Sequence, residues 1–538
     1  MLSLKSLAFV LFAANNVLAV GSPFGFASGT TGGAGATQAT PSSAAELKTW
    51  LEDSVTRNIL LDRTYDFTDT EASTGPACKP WTCSPNPQLA LDGGIGWCGS
   101  NPTTTVSYKK AGTTSIRVKS NKTILGKGTS GWIKGKGLLL SGVSNVIIQN
   151  IRISDINPQY VWGGDALYID NSSKVWVDHN YFKSVGRQFV VTGFGAAKQV
   201  TISNNYFDGQ STWSTGCDEH HYWAFLFAGN GDQITFARNY VYHTAGRGPH
   251  VGGTSGYSLT IHLFNNYFND ITGHAIDADV GTKLLAEGNY FNNVKTPSTG
   301  NTNGAVFAPT TSSMNSQCSS TLGRNCVSNT LAGSGSLTNT ANSGAISAFT
   351  ASVVKSASVM DPGAVASYVL ANAGLGKCSL YHPDSGLLVY VSQVCRSIVE
   401  ESTSYIHESN KTILGKGSSG WIKGKGLRLN GISNVIIQNI RISDINPQYV
   451  WGGDALYIDN SSKVWVDHNY GFGAAPQITI SNNYFDGQSA GGSGVLTNTA
   501  NSGAISAFTA SAVKSASIMD PGAVPSYVLA NAGLGKIN

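Results

Sequence analysis

Six short β-branched runs, each closed by an asparagine, recur along the chain: VIIQN (146–150), VWVDHN (175–180), VTISNN (200–205), ITFARN (234–239), TIHLFNN (260–266) and LLAEGN (284–289). From Asn150 through Asn180, Asn205, Asn239, Asn266 and Asn289 the step is 23 to 34 residues, the repeat range of solenoids. A run of this kind followed by turn residues is one strand of a coil that buries its apolar face by stacking on the next. Stacked asparagine side chains hydrogen-bond along such a column and tolerate the left-handed conformation that a corner needs. The pattern predicts an all-β chain folded as a single-stranded parallel β-helix.

Of 538 residues, 63 are glycine and only 12% are charged, and the 3.6-residue apolar period of a helix is almost absent, so helix is minor. Residues 1–19 carry Lys5, an apolar centre and Val17-Leu18-Ala19, the pattern of a signal peptide removed on secretion. Beyond it no apolar run approaches the ~20 residues of a membrane span, so an extracellular protein without a membrane anchor is expected. An oxidising destination makes the eight cysteines candidates for disulfides rather than metal ligands, and none has paired CxxC spacing. A net charge of +4 gives no reason to expect a nucleic-acid partner.

The sequence also repeats on a larger scale. Residues 120–181 recur almost verbatim at 409–470, residues 193–211 at 471–489, and residues 335–377 at 494–536. Skipped in the second copy are the equivalents of Phe182 to Thr192 and of roughly Thr212 to Leu331. The organisation is therefore a leader (1–19), a complete unit (20–377), a unique junction (378–408) holding Cys378 and Cys395, and a truncated duplicate (409–538). That duplicate keeps Asp454 and lacks counterparts of Arg187 and Arg247, so it is expected to be inactive.

The strings GSPFGFASG (21–29), ELKTWL (46–51), SNKTILGKG (120–128), IIQNIRISDINPQYVWGGDA (147–166), VWVDHN (175–180), GRQ (186–188), HYWA (221–224), YHTAGRGPHV (242–251) and ANAGLGK (371–377) resemble, in this order, the fungal pectin lyases of polysaccharide lyase family 1. The resemblance covers essentially all of 20–377. It implies a right-handed parallel β-helix that cleaves methyl-esterified homogalacturonan by β-elimination. A calcium-dependent pectate lyase and a non-catalytic pectin-binding β-helix are the alternatives.

Elimination on a uronate removes the C5 proton and expels the O4 oxygen, which requires a base and groups that stabilise enolate-like charge. Arg247, in Ala-Gly-Arg-Gly-Pro, matches the family's catalytic arginine; an ordinary solvated arginine in a Gly-Pro turn is the plain alternative. Asp165 stands where the related pectate lyases place a calcium ligand, and Arg187 where the pectin lyases place a cation instead of the metal. The pair then does locally what calcium does elsewhere, so no cofactor and no active-site metal are expected. An ordinary buried salt bridge is the plain alternative there.

Trp81, Trp97, Trp162, Trp213, Tyr222 and Trp223 fall in loops or at strand edges, where they suit a neutral chain bearing methyl esters. Trp176 is read as facing the coil interior or the stacked column, and Asp178 and His179 as corner residues. His250 occupies a place where the family commonly has lysine. The pair His220-His221 is adjacent and shows no third ligand, so no metal site is expected there. Sequons stand at Asn121 and Asn171, with duplicates at Asn410 and Asn460. The resemblance implies disulfides Cys78–Cys98, Cys83–Cys217 and Cys318–Cys326, with Cys83 displaced from the usual spacing. A polygalacturonase needs clustered carboxylates, and only Asp165 and Asp170 offer themselves. Pectin is the expected partner, and the protein is expected to act as a monomer.

Overall fold

The structure, a computed structural model, describes residues 21–68, 72–94 and 96–377, together with 403–406, 411–414, 421–423, 426–430, 433–438, 440–443, 456–459, 462–467 and residue 523. The leader at 1–19, most of the junction, Asp454, Asn410 and Asn460 lie outside the described residues. Two compact units divide the chain at Cys395 and Arg396. No helix among the described residues is long and apolar enough to cross a membrane.

The larger unit is a parallel β-helix. Each coil contributes one strand to each of three walls, as in Ser172–Asp178, Tyr181–Val185 and Val190–Thr192 before Ala197–Ser203 begins the next coil. The first wall is a ten-stranded sheet. The second and third are joined into one fifteen-stranded sheet through the long strand Tyr267–Ala278. Alternation within each strand sends one face inward. In the first wall Val175, Val200, Ile234, Ile261 and Leu284 pair rung to rung, all fully buried. In the second, Phe182 stacks on Phe207 at 4.9 Å and Phe268 on Phe291 at 4.8 Å.

The asparagine column is present, with two corrections. Asn180, Asn205, Asn239, Asn266 and Asn289 each donate a side-chain N–H to the side-chain oxygen of the next, at 2.9 to 3.0 Å, and the series continues to Asn329. Each of those oxygens also accepts the backbone N–H of the preceding asparagine, at 2.9 to 3.0 Å. Asn150 is not part of it: Ile151 holds that register and donates its N–H to Asn180 Oδ1 at 3.0 Å. Nor do the laddered asparagines supply the left-handed conformation. That falls on the residue just before each, at Asn150 (φ 57), His179 (54), Asn204 (50), Arg238 (58), Asn265 (52) and Gly288 (61).

Segments outside the coils seal the stack. Helix Ala44–Glu52, capped where Ser43 accepts the Glu46 N–H, closes the first coil with Leu47 and Leu51. The stretch from Phe26 to Gly33 lies across the outside of the first wall, donating its N–H groups to the hydroxyls of Thr235, Thr201 and Thr123. Gly25 (φ 57) leads into it where a Cβ would come within 2.5 Å of the Thr235 hydroxyl. Trp176 is buried there, against Ala27 and Ile147, on the outer column rather than in the coil interior. Asp178 and His179 are corner residues as expected, hydrogen-bonded to each other. Along this same corner, residues 358–376 run lengthwise: Met360 exchanges two hydrogen bonds of 2.9 Å with the Asn265 side chain, Gly374 N–H donates to Asn204 O, and Gly376 N–H donates to Asn150 Oδ1. The helix Pro362–Asn372 within that stretch packs Val365 and Val369 on Tyr267.

Described strands of the smaller unit repeat the registers of the sequence they duplicate. Lys411, Val435 and Val464 align as Lys122, Val146 and Val175 do. A small core of Leu427, Leu429, Val435, Ile437, Ile440 and Ile442 forms inside.

Replacing Asn239 by alanine strands the N–H groups of Asn205 and the carbonyl of Ile202 in a dry corner. Each unpaired buried group costs ~1–3 kcal/mol, so denaturant unfolding of Asn239→Ala is expected to show a loss of about 3 kcal/mol or more. A loss below ~1 kcal/mol would mean that the ladder is incidental.

Candidate active site

Three candidate residues precede third-wall strands at the same corner of their coils. Asp165 precedes strand Leu167–Asp170, Arg187 precedes Val190–Thr192, and Arg247 precedes His250–Val251. Between the last two lies the coil carrying Trp223 and Phe225–Phe227. Strand spacing of ~4.8 Å therefore sets Asp165 and Arg187 on adjacent rungs and Arg247 about two rungs further. Backbone bonds fix this staging: Arg187 N–H donates to Gly164 O at 3.1 Å, Phe189 N–H to Ala224 O at 2.9 Å and Phe225 N–H to Arg247 O at 2.7 Å.

The Asp165 carboxylate accepts the Gln188 N–H through Oδ1 at 2.8 Å and faces Arg187 Nη1 through Oδ2 at 3.6 Å. Burial pushes this carboxyl above its ordinary value, and Arg187, the Gln188 N–H and Arg247 pull it back. The Arg187 guanidinium lies over the Trp162 ring at 4.0 Å, a cation–π contact. Arg247 is itself left-handed (φ 49), its guanidinium lies 4.8 Å over Trp223, and its N–H donates to His274 Nε2 at 3.1 Å. The fully buried Gln188 amide, with its oxygen toward Arg247 Nη1 at 2.8 Å and its nitrogen toward Trp223 O at 3.2 Å, ties the two arginine rungs together. Burial first, and then the charge of Arg187, push the Arg247 guanidinium downward from its ordinary value.

An aromatic floor extends from there. Trp81 contacts Trp97 and Trp223, Trp97 contacts Trp162, and Tyr222 contacts Trp223, with ring centroids 4.9 to 6.3 Å apart. Trp81 and Trp97 arrive on a separate excursion, the small sheet of Ala72–Cys78, Leu89–Leu91 and Thr103–Lys109, joined by Tyr160–Val161. Disulfides fix it: Cys78–Cys98 within the excursion and Cys83–Cys217 to the loop before Tyr222, while Cys318–Cys326 lies elsewhere, so all three implied pairings form. Trp213 joins none of these ring contacts among the described residues. His250 is engaged, its Nδ1 2.6 Å from Asp277 Oδ2. That bond, against the effect of burial, holds the Asp277 carboxyl down to about 2. Asn121 and Asn171 are both exposed.

A cleft of about 470 Å³ opens along the third wall, lined by Trp162, Asp165, Tyr168, Arg187, Leu226 and, at its rim, Phe194, which is 68% exposed. Arg247 stands beyond this lining, coupled to it through Gln188 and by charge. Several supporting residues carry no sequence signal. Gln88 accepts the Trp223 indole N–H at 2.9 Å and donates to Gly186 O at 2.8 Å, across 135 positions of chain. His221 Nε2 lies 2.7 Å from Arg187 O, and burial pushes its ring down to about 4, so it is neutral. Gln188 stands inside the string GRQ and His221 opens HYWA, but neither string records these contacts. Away from His221, the His220 ring stacks on His243 at 3.5 Å with Asp270 beside both, a meeting that the sequence does not announce.

A solenoid that sets a carboxylate and an arginine in an open cleft, with a second arginine and tryptophans beside it, fits a polysaccharide. The pectate lyase family model matches residues 2–378 and 399–479, and the chain belongs to that family, which makes it a polysaccharide lyase. It is 48% identical over 363 residues to probable pectin lyase F-2 of Aspergillus terreus, spanning 66% of this chain and 74% of that protein. To probable pectin lyase F of Emericella nidulans it is 46% identical over 380 residues, spanning 70% and 81%. A solved pectate lyase from Bacillus sp. N165 in complex with trigalacturonate superimposes with a TM-score of 0.41 at 24% identity, covering 66% of this chain and 100% of that one.

Gln188→Leu keeps the side chain's bulk and removes the acceptor that aims Arg247. With geometry loosened but binding surfaces kept, kcat is expected to fall about tenfold with little change in KM. Steady-state rates of unsaturated product at 235 nm measure both, and an unchanged kcat would remove Gln188 from the machinery.

Proposed function

We propose that the chain is a secreted, monomeric endo-pectin lyase that cleaves α-1,4 bonds of methyl-esterified homogalacturonan by β-elimination, giving 4,5-unsaturated oligogalacturonides without calcium. The observation that carries this reading is the half-buried Arg247 guanidinium, lying over Trp223 and pushed downward by desolvation and by Arg187. A guanidinium in water is a poor proton acceptor. Half-buried beside a second cation, it gives up its own proton more readily than in water, and the neutral guanidine then takes the C5 proton on its free nitrogen lone pair as charge moves onto the C6 carbonyl oxygen, with Arg187 the second cation available to that charge. The leaving O4 oxygen then departs with the C4–O4 electron pair.

A free carboxylate at C6 opposes enolate formation and calls for a metal, whereas a methyl ester is already neutral. Both Asp165 oxygens are engaged, one by the Gln188 N–H and one by Arg187, and a divalent ion would meet the guanidinium directly. This supports a centre that works without calcium. The tryptophans suit the apolar ester better than a fully charged chain. The truncated duplicate lacks counterparts of both arginines, which supports its being silent.

Arg247→Ala is expected to lower kcat by at least ~10²-fold while leaving binding of esterified oligomers nearly unchanged, and Arg247→Lys to be almost as damaging because an ammonium lacks the planar fork. Comparable rates in Arg247→Ala would sink the base assignment. On highly esterified pectin, activity is expected to survive exhaustive chelation and to decline as the substrate is de-esterified. Activity confined to polygalacturonate and erased by the chelator would assign the calcium-dependent pectate lyase reaction instead.

A further inference from the structure

Outside the cleft, the excursion 209–224 leaves the second wall after Tyr206–Asp208 and returns to the third at Phe225–Phe227. On its way back it lays His220 against strand Tyr240–Thr244, through isolated bridges of Gln210 with His220 and of His221 with Thr244. His243, on that strand, and Asp270, on the next, occupy the same rung position, flanked by the pairs Tyr242–Asn269 and Thr244–Ile271. Both are left-handed (φ 57 and 58). The His220 ring stacks on His243 with an interplanar angle of 18°.

The hydrogen bonds fix the protons. His220 Nδ1 lies 2.6 Å from the Asp218 carbonyl oxygen, which can only accept, so Nδ1 carries the hydrogen and Nε2 of the neutral ring a lone pair. That Nε2 is buried without a hydrogen-bond partner and faces Asp270 Oδ2 at 3.5 Å. The same carboxylate oxygen lies 2.7 Å from His243 Nδ1. His220 Nε2 and Asp270 Oδ2 therefore face each other as two acceptors.

We propose that His220 Nε2, His243 Nδ1 and Asp270 Oδ2 form a site for a zinc-class divalent transition-metal ion, with water as the fourth ligand. Two imidazoles and one carboxylate are ordinary zinc donors. Bonds of ~2.0–2.1 Å in a tetrahedron separate the donors by roughly 3.3 Å. The 3.5 Å edge already fits, and the 2.7 Å edge, a hydrogen bond from His243 Nδ1–H to Asp270 in the ion's absence, opens by roughly half an ångström as that hydrogen passes to Nε2 and the freed Nδ1 lone pair turns to the ion. The supporting shell is in place: the Asp218 carbonyl orients His220, the Asn293 amide donates to Asp270 Oδ1 at 3.3 Å, and Thr272 holds the Asp218 carboxylate at 2.8 Å. His243 and Asp270 are partly exposed, which leaves an entry path. The ion is a clamp, not a reagent. It fastens the excursion to the coils one residue before His221, which lies against Arg187 O and Trp223 O, and so acts alongside the Cys83–Cys217 bond.

The test uses the full chain without a histidine tag, stripped by a chelator and titrated with Zn²⁺ in a calorimeter, with melting temperature as a second readout. One Zn²⁺ per chain, a rise in melting temperature and at least a ~tenfold weaker affinity in His220→Gln and His243→Gln are expected. Asp270→Asn, which keeps an oxygen for His243 and removes the charge, is the milder variant should the histidine variants fail to fold. Its affinity is expected to fall likewise. No saturable binding to the wild-type chain, or binding of unchanged affinity in every folded variant, would overturn the site. Chelation is not expected to change the initial lyase rate, so this outcome and the failure of the proposed reaction are separately readable.

Discussion

A buried asparagine amide both donates and accepts, and at Asn205 neither half is satisfied within its own coil. Asn205 Nδ2 reaches the Val177 carbonyl on the coil before it and Asn239 Oδ1 on the coil after it, while Asn205 Oδ1 takes the N–H groups of Asn180. Each turn of the solenoid is thus incomplete until its neighbours arrive. Because an amide has fixed geometry, the ladder also sets the phase of the coils. A slip of one residue would turn every inward valine and phenylalanine outward.

The candidate site inherits that phase. Asp165, Arg187 and Arg247 are far apart in sequence and meet because each precedes its third-wall strand on a coil whose height is set elsewhere. Once aligned, burial and mutual charge act on all three. The same desolvation that pushes Asp165 up pushes Arg247 down, so the two groups are driven toward neutral forms from opposite directions. Gln188, bonded to Asp165 through its backbone and to Arg247 through its side chain, converts that shared environment into shared geometry.

The walls were readable because β-branched runs closed by Asn recur at coil length, and the arginines because motif and order survive in a resemblance. What escaped reading is what neither period nor motif encodes. The left-handed corner falls one residue earlier than expected, on Asn, His, Arg and Gly alike, so no single residue type marks it. Asn329 was missed because 40 residues separate it from Asn289. Gln88, and the meeting of His220 with His243 and Asp270, depend on where two excursions land after leaving the solenoid, and a local pattern does not record a landing point. Trp213 shows the converse, an aromatic residue of the right type on the right excursion that joins no ring cluster among the described residues.

The lengthwise segment from Ser358 to Gly376 changes what kind of object the stack is. In a solenoid held only by neighbour contacts, heat or denaturant frays the ends one repeat at a time, and the melting curve is broad. Here one continuous stretch is bonded to Asn265 and Asn204 and finally to Asn150, crossing several coils in succession. An end coil can no longer detach without also peeling the strap from coils far along the axis. Opening becomes all-or-none over that span, and a quasi-linear array acquires the sharp cooperativity of a globule.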